Sequence, residues 1–413
     1  MIKLIHSKST YLFLFLLLNF QLISCAQKKV QDSKLNVQSS KPEKLEIKTG
    51  AEQTDLYLDL LKGKNVGIVA NQTSVIRNSK FKIQGFTHLV DSLLSLHIKI
   101  KKVFSPEHGF RGKADAAEHI KDGFDTKTGL PIVSLYGKSK KPSAKQLEGI
   151  EVMVFDIQDV GVRFYTYIST LHYVMEACAE NGIPVIILDR PNPNAHYVDG
   201  SVLEMEHTSF VGKHPIPVVY GMTIGEYGKM INGKKWLKNG IQCDLKVIPN
   251  KNYTHQSKYS LPIKPSPNLP NDKSINLYPS LGFFEGTTIN AGRGTAFQFQ
   301  RYGAPFFKKT DFSYTPQPNE GAKYPKHKGK ICFGKDVSET PHLSKIDLSF
   351  LMDAYQQTPK TEKFFGETFT IHAGTKKLQQ QLEQGLSEEE IRASWVDGLE
   401  KFKIIREKYL IYE

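Results

Sequence analysis

From about residue 51 the chain alternates short, wholly apolar runs with stretches of helical spacing. Asn65–Ala70 (NVGIVA), Ile98–Phe104 (IKIKKVF), Pro131–Leu135, Val152–Asp156 (VMVFD) and Val185–Asp189 (VIILD) have the length and β-branched content of buried strands. Between them, Thr87–Leu96 (THLVDSLLSL), Ser143–Gly149 and Thr166–Glu180 carry apolar residues at helical intervals. Strands alternating with helices predict βαβ units, hence an α/β fold with a Rossmann-like, mainly parallel sheet covered on both faces. From about Tyr253 the pattern breaks into prolines and loops (LPIKPSPNLPN). Helical spacing returns over Asp347–Gln357, Thr375–Glu383 and Glu388–Lys408, and Thr368–His372 (TFTIH) alternates like a strand. This half predicts a smaller α+β domain, so the expected organisation is 51–262 for the Rossmann-like part and 263–413 for the part that closes a cleft against it.

The first fifty residues read differently. Lys3 and Lys8 form a positive start, Tyr11–Phe20 (YLFLFLLLNF) is an apolar run, and Leu22-Ile23-Ser24-Cys25 follows with a small residue before the cysteine. The run is too short for a permanent span, which predicts a processed export signal. Its Leu-x-Ser-Cys ending resembles the lipobox of bacterial lipoproteins, and that likeness implies acylation of Cys25 and a membrane partner through the lipid. Residues 26–50 are polar, rich in Lys and Ser and aperiodic, as a flexible tether is. Cys178, Cys243 and Cys332 are widely spaced with no CxxC, which predicts buried free thiols rather than a disulfide framework or a zinc site.

The net charge of +13 falls to +11 once Lys3 and Lys8 leave with the signal. Such a surplus favours anionic partners. With no arginine-rich arm and no aromatic-basic signature, an acidic glycan or a membrane surface fits better than nucleic acid, which is not expected as a partner. No P-loop, G-x-S-x-G elbow, HExxH or EF-hand loop occurs, and no complete G-x-G-x-x-G, so neither a metal nor a nicotinamide cofactor is expected.

In an open parallel sheet, ligands bind beyond the carboxyl ends of the strands, where loops and helix N-termini converge. That rule selects Asn71-Gln72-Thr73-Ser74 after the first strand and Ser105-Pro106-Glu107-His108-Gly109-Phe110-Arg111 after the second. It selects Asp156, Gln158, Asp159, Arg163, Tyr165 and Tyr167 after VMVFD, and Asp189-Arg190 after VIILD. The second half adds Asn268, Glu285, Asn290, Arg293 and Arg301. Glu107 is the sharpest of these: a carboxyl at the mouth of a crevice can have its pKa raised by burial and act as a general acid. An ion pair between Glu107 and Arg111 is the structural alternative. His108 either orients Glu107 or caps a loop, and Asp156 and Asp159 either hold hydroxyls or water or bond their own turns.

Taken together, SPEHGFRG (105–112), DIQDVGVRFYTYISTL (156–171), LDRPNPN (188–194), PVVYGMTIGE (217–226), PSPNLP (265–270) and YPSLGFFEGTTINAGRGT (278–295) resemble the exo-β-N-acetylmuramidase family of bacterial cell-wall glycosidases. The resemblance covers roughly 51–413. It implies removal of N-acetylmuramic acid from the non-reducing ends of peptidoglycan fragments, a cleft between a Rossmann-like and a smaller domain, Glu107 as the favoured catalytic residue, and no cofactor. Glycoside hydrolysis usually needs two carboxyls, and Asp156, Asp159, Asp189 and Glu285 all qualify as the partner. The lactyl carboxylate of the sugar calls for an arginine, with Arg163, Arg293 and Arg301 as candidates, and Tyr165, Tyr167 and Phe284 are candidates for its ring face. A non-catalytic lipoprotein that binds muropeptides or other anionic glycans through the same cleft is the alternative. An esterase or deacetylase lacks its nucleophile or metal spacing here. Oligomeric state is open.

Overall fold

The apolar runs pair as they should if both faces of one sheet are to be buried. The computed structural model describes residues 45–77, 85–107, 109–111, 123–137 and 139–413; the signal, Cys25 and His108 lie outside that set. Its strands are β1 (Val66–Ala70), β2 (Val75–Arg77), β3 (Phe86–His88), β4 (Ile100–Ser105), β5 (Gly123–Phe124), β6 (Pro131–Ser134), β7 (Val152–Asp156), β8 (Val185–Leu188), β9 (Leu245–Ile248), β10 (Arg301–Ala304), β11 (Ser313–Tyr314) and β12 (Cys332–Asp336). A seven-stranded sheet runs β5-β6-β4-β1-β7-β8-β9. All its pairings are parallel except that of β5 with β6. Setting aside short β5, the chain visits the sheet in the spatial order 3-2-1-4-5-6, that of the doubly wound dinucleotide-binding folds. The direction of travel reverses between β1 and β7, the switch point at which a sheet of this kind places its binding crevice.

Side-chain alternation along the strands feeds two cores. Val66, Ile68, Ala70, Val152, Val154, Ile186 and Leu188 point to one face, where Leu89, Val90 and Leu93 of the helix Leu89–Ser95 cover them. Val69, Met153, Phe155, Val185 and Ile187 point to the other. The helices are α1 (Leu58–Leu61), α2 (Leu89–Ser95), α3 (Ala144–Leu147), α4 (Tyr167–Glu180), α5 (Ile224–Gly233), α6 (Asp272–Leu281), α7 (Ser349–Gln357), α8 (Phe369–Ala373), α9 (Lys377–Glu383), α10 (Glu388–Ala393) and α11 (Val396–Glu407). Leu171, Val174 and Met175 of α4 and Met230 and Ile231 of α5 pack on the second face. The same apolar cluster continues through Phe283, Phe284, Tyr302 and Phe369, so the smaller C-terminal part shares its core with the sheet. That part holds an antiparallel three-stranded sheet, β10-β12-β11, and helices α6 to α11, all within the compact unit Glu46–Glu413. Cys178, Cys243 and Cys332 are free and buried.

Two sequence expectations are corrected. Thr368–His372 is not a strand: α8 occupies Phe369–Ala373, ending on Gly374 at φ +75°. Its last carbonyls accept from the Arg163 guanidinium, His372 O at 3.1 Å and Ala373 O at 2.8 Å, so a partner some two hundred residues away satisfies the helix end and overrides local β-propensity. Any side chain at Gly374 would collide with that guanidinium. The helix expected over Glu388–Lys408 is broken into α10 and α11 at Ser394-Trp395, where the Ser394 hydroxyl bonds Ile391 O at 2.6 Å and Trp395 turns into the core.

Candidate active site

The loop after β1 is tied by its own side chains. Asn71 Oδ1 accepts from Thr73 N–H (2.9 Å) and the Thr73 hydroxyl (2.6 Å), an Asx turn that bends the chain out of the strand. Thr73 Oγ1 then accepts from Gln158 N–H at 3.0 Å, and the Ser74 hydroxyl donates to Asp156 O, which stitches this loop to the end of β7 across the switch point. Asn71 has one polar group left, and its Nδ2 donates to the Tyr167 hydroxyl at 2.9 Å. Gln72 reaches the other way, its Nε2 on Pro265 O at 3.1 Å.

At the end of β4 the buried Ser105 and Pro106 deliver Glu107 half-exposed to the crevice. Gly109 N–H closes the turn on Pro106 O at 3.1 Å and takes φ +77°, which glycine adopts without strain. The Thr166 hydroxyl, at the N-cap of α4, lies 3.1 Å from Glu107 Oε2 and donates to it. Arg111 is engaged elsewhere: it forks onto Asp125 (Nη2–Oδ2 2.7 Å, Nε–Oδ1 3.2 Å) and Asp91 (3.2 Å), beside the Phe110 ring. Those contacts hold Asp125 down at about 2 against the cost of its burial, with Thr128 also donating.

Three tyrosines floor the space beside Glu107. Tyr165 and Tyr167 meet edge to face at 4.9 Å, with their hydroxyls 2.8 and 3.4 Å from Pro265 O. Burial pushes the Tyr167 hydroxyl well above its usual range and the charge of Glu107 adds to this, so it stays a neutral donor. Tyr278 is raised likewise, first by burial and then by the charges of Glu285, Glu107 and Asp159, with Arg293 opposing. Carboxyls from both halves of the chain therefore act on one phenol.

Asp159 lies beneath this floor at 3% exposure. Its Oδ2 accepts from Gly161 N–H (2.7 Å) and the Tyr220 hydroxyl, while Oδ1 is buried with no hydrogen-bond partner. Burial raises its pKa to about 6, against the lowering effect of the Tyr220 and Gly161 bonds. Gln158 is spent on Pro191 O (2.6 Å) and Asp159 O (2.8 Å).

From the second half come Glu285 and Arg293, paired at 2.8 Å, with side chains 26% and 29% exposed. Arg293 Nη2 and Asn268 Nδ2 both donate to Gly321 O, at 3.0 and 2.6 Å. Asn290 shapes this loop from behind: Nδ2 holds Arg293 O at 3.0 Å, and Oδ1 takes Gly292 N–H at 2.7 Å.

The structure thus brings together Asn71, Glu107, Tyr165, Tyr167, Asn268, Glu285 and Arg293, with Asp159 and Gln158 supporting them. Other candidates face away. Asp156 is fully buried and clamped by Arg190 (2.6 and 2.9 Å), which also holds Val75 O at 3.1 Å. Asp189 is buried under the N-terminus of α5, accepting from the Thr223 hydroxyl (2.7 Å), Gly225 N–H (2.8 Å) and the Tyr412 hydroxyl (2.7 Å). Arg163 is fully buried, with Nη1 on Ser201 O (2.6 Å) and Ile216 O (2.8 Å) besides its hold on α8. Arg301 pairs with Asp336 (3.1 Å) between the Phe297 and Phe312 rings. Phe284 is a core ring stacked on Tyr302 at 5.1 Å and cannot meet a sugar. Sequence reasoning missed Thr166 and Tyr278, although Thr166 stands between two chosen tyrosines and Tyr278 opens the YPSLGFFEGTT string.

Residues 66–273 match the family model described as exo-beta-N-acetylmuramidase NamZ, N-terminal, and residues 276–412 match its C-terminal counterpart. The peptidoglycan beta-N-acetylmuramidase NamZ of Bacillus subtilis (strain 168) is 37% identical over 433 residues, covering 98% of this chain and 100% of that protein. A crystal structure of a DUF1343 family protein from Bacteroides fragilis NCTC 9343 superposes with a TM-score of 0.80 at 43% identity, over 89% of this chain and 99% of the other. A second such protein from the same strain gives 0.72 at 28% identity with the same coverage.

Proposed function

The chain belongs to the exo-β-N-acetylmuramidase NamZ family, and from that premise we propose that it removes N-acetylmuramic acid from the non-reducing ends of peptidoglycan-derived glycans, with Glu107 as general acid. The observation that carries this reading is the half-exposed Glu107 carboxyl at the switch-point crevice, held by Thr166 and facing a tyrosine floor that a second-half carboxylate shares. Glu107 gives its proton to the glycosidic oxygen as the bond to the anomeric carbon breaks. Of the partner carboxyls, Asp156 and Asp189 are sealed in protein and Asp159 is buried at 3% exposure, which leaves Glu285 to serve as base or nucleophile. Arg293, beside it, is the arginine placed to read the lactyl carboxylate. In this reading residues 51–262 carry the acid and 263–413 close the cleft.

Release of a chromophore from an aryl β-N-acetylmuraminide tests it. Glu107→Gln is expected to lower kcat by at least about 100-fold with unchanged unfolding temperature, the usual scale of general-acid assistance. An undiminished rate removes Glu107 from the chemistry and favours a glycan-binding lipoprotein. Equal turnover of the N-acetylglucosamine analogue, which lacks the lactyl group, removes Arg293 from recognition.

We further propose that the chain is exported and anchored through acylated Cys25, on the strength of the Lys3/Lys8 start, the Tyr11–Phe20 run and the Leu-x-Ser-Cys ending. Fatty-acid labelling that persists in Cys25→Ser would refute the anchor.

A further inference from the structure

Away from Glu107, on the outer side of α4, a cavity of about 530 Å³ is lined by His172, Met205, Lys213, His214, Trp236 and Lys238, among others. Its volume falls within the range of small-molecule sites. Apart from Glu176 and the two lysines, the wall is built from fixed, neutral groups. His214 stacks on Trp236 at 4.4 Å and bonds Tyr227 OH (2.7 Å) and His172 Nδ1 (3.0 Å). Burial, helped by the nearby positive charges of Lys213 and Lys141, pushes His172 down to about 4. The one acid of the wall, Glu176, is already neutralised by Lys141 Nζ and Lys238 N–H, each at 2.7 Å.

Lys213, which lines the cavity, is linked through two rings to a second lysine beside it, Lys140. Lys213 Nζ bonds the Tyr173 hydroxyl at 3.1 Å and sits 4.6 Å from the centre of the Tyr173 ring. Tyr173 stacks on Phe210 at 6.2 Å, and Lys140 Nζ lies 4.1 Å from the centre of the Phe210 ring. The rings hold the two ammonium groups in place. Among the described residues neither lysine meets a carboxylate, so both charges remain available to one. His172, the first cavity-lining residue of α4, follows Thr166 by six residues and lies about 9 Å further along the helix axis. Thr170, between them, is buried. Cavity and cleft are therefore separate pockets on one helix, and only a ligand longer than one sugar can occupy both.

We infer that this cavity, with Lys213 and Lys140, forms a second saccharide site, which holds the carboxylate-bearing part of the glycan on the leaving-group side. The inference rests on the glycosidase reading for its ligand. The test compares wild type with the Lys140→Ala/Lys213→Ala double variant on the aryl N-acetylmuraminide and on a long glycan strand. The expected result is unchanged kinetics on the aryl glycoside and KM raised about tenfold on the strand, the sum of two partly exposed ion contacts. Equal kinetics of the two proteins on the strand, or equal losses on both substrates, would overturn the second site. A wild type inactive on the aryl glycoside counts against the glycosidase reading alone, and calorimetry then decides the site. Weaker binding of the strand by the double variant supports it, and equal affinity ends it. A chitin oligomer, which has no carboxylates, should bind both proteins alike; a loss there in the double variant would refute carboxylate recognition.

Discussion

Two acids stand at the carboxyl ends of neighbouring regions of one sheet and have opposite fates. Asp156 closes β7 and Glu107 follows β4; both occupy the position where a doubly wound sheet places its chemistry. Asp156 is wholly enclosed and forked onto Arg190, whereas Glu107 is half-exposed and held at one oxygen by a hydroxyl. What separates them is the supply of partners. Arg190 is delivered by the adjacent strand β8 and reaches back across Asp156 to Val75 O, so the β7/β8 side of the switch point is braced shut. On the β1/β4 side the acid stays half-exposed, with the Thr166 hydroxyl on one of its oxygens. A strand end thus nominates a residue, and the neighbouring strand decides whether it is braced shut or left half-exposed.

The contrast breaks most sharply at the brace. Asp156→Ala leaves the Arg190 guanidinium buried without its counter-charge, which should cost about 3–5 kcal/mol in urea unfolding, while the folded fraction keeps its turnover. Joint replacement of Asp156 by Leu and Arg190 by Met should recover most of that stability. Full stability with lost activity in Asp156→Ala would move this acid into the chemistry. Glu107→Gln should do the reverse, with stability changed by no more than about 0.5 kcal/mol, since the side chain is half-exposed and the amide keeps an oxygen for the Thr166 hydroxyl. A large destabilisation would make Glu107 a brace as well.

Between the two extremes is Asp159, buried like Asp156 but without a cation. Burial lifts its pKa from 3.8 to about 6. A raised carboxyl stabilises the fold fully below the unfolded value, and that stability is lost as pH rises through about 6. Asp189 shifts the same way, to about 6, so the two share one window. Asp159→Asn keeps an acceptor for Gly161 N–H and the Tyr220 hydroxyl and puts its NH₂ where Oδ1 has no partner. The stability of this variant relative to wild type should rise by on the order of 2 kcal/mol from pH 4 to pH 7. A difference that does not vary with pH would mean that Asp159 titrates normally.

The sheet was legible because its strands are buried on both faces. VGIVA, VMVFD and VIIL are uninterrupted apolar runs, and Val66, Ile68, Val154 and Ile187 are all fully enclosed. Edge strand β9 (Leu245–Ile248) was not legible, since it exposes Lys246 and offers no such run. Helix α6 was hidden for another reason. It is buried nearly all round from Ser274 to Leu281 and carries Pro279, so it shows neither an apolar stripe nor helical composition. Within the site, the crevice rule found Glu107 and the tyrosines because position alone suffices for them. It equally selected Arg163 and Arg190, whose side chains turn inward to carbonyls and a carboxylate that the fold brings from far along the chain. Contacts of that separation leave no local trace in sequence.

Thr166 offers the finest adjustment of the open side. Its hydroxyl bonds Glu107 Oε2, and it comes from the N-cap of α4, an element fixed by the core through Ile168, Leu171 and Met175. Thr166→Ala removes one hydrogen bond to the Glu107 carboxyl, worth about 1 kcal/mol, so kcat on the aryl glycoside should fall about fivefold. KM should hold, because Thr166 is a positioning residue rather than one that grips the sugar. Thr166→Ser restores the hydroxyl on the same backbone and should restore the rate. A KM effect of equal size, or a serine variant no better than alanine, would show that Thr166 fills space instead of aiming the acid, and the division between an open, held carboxyl and a closed, braced one would then need another cause.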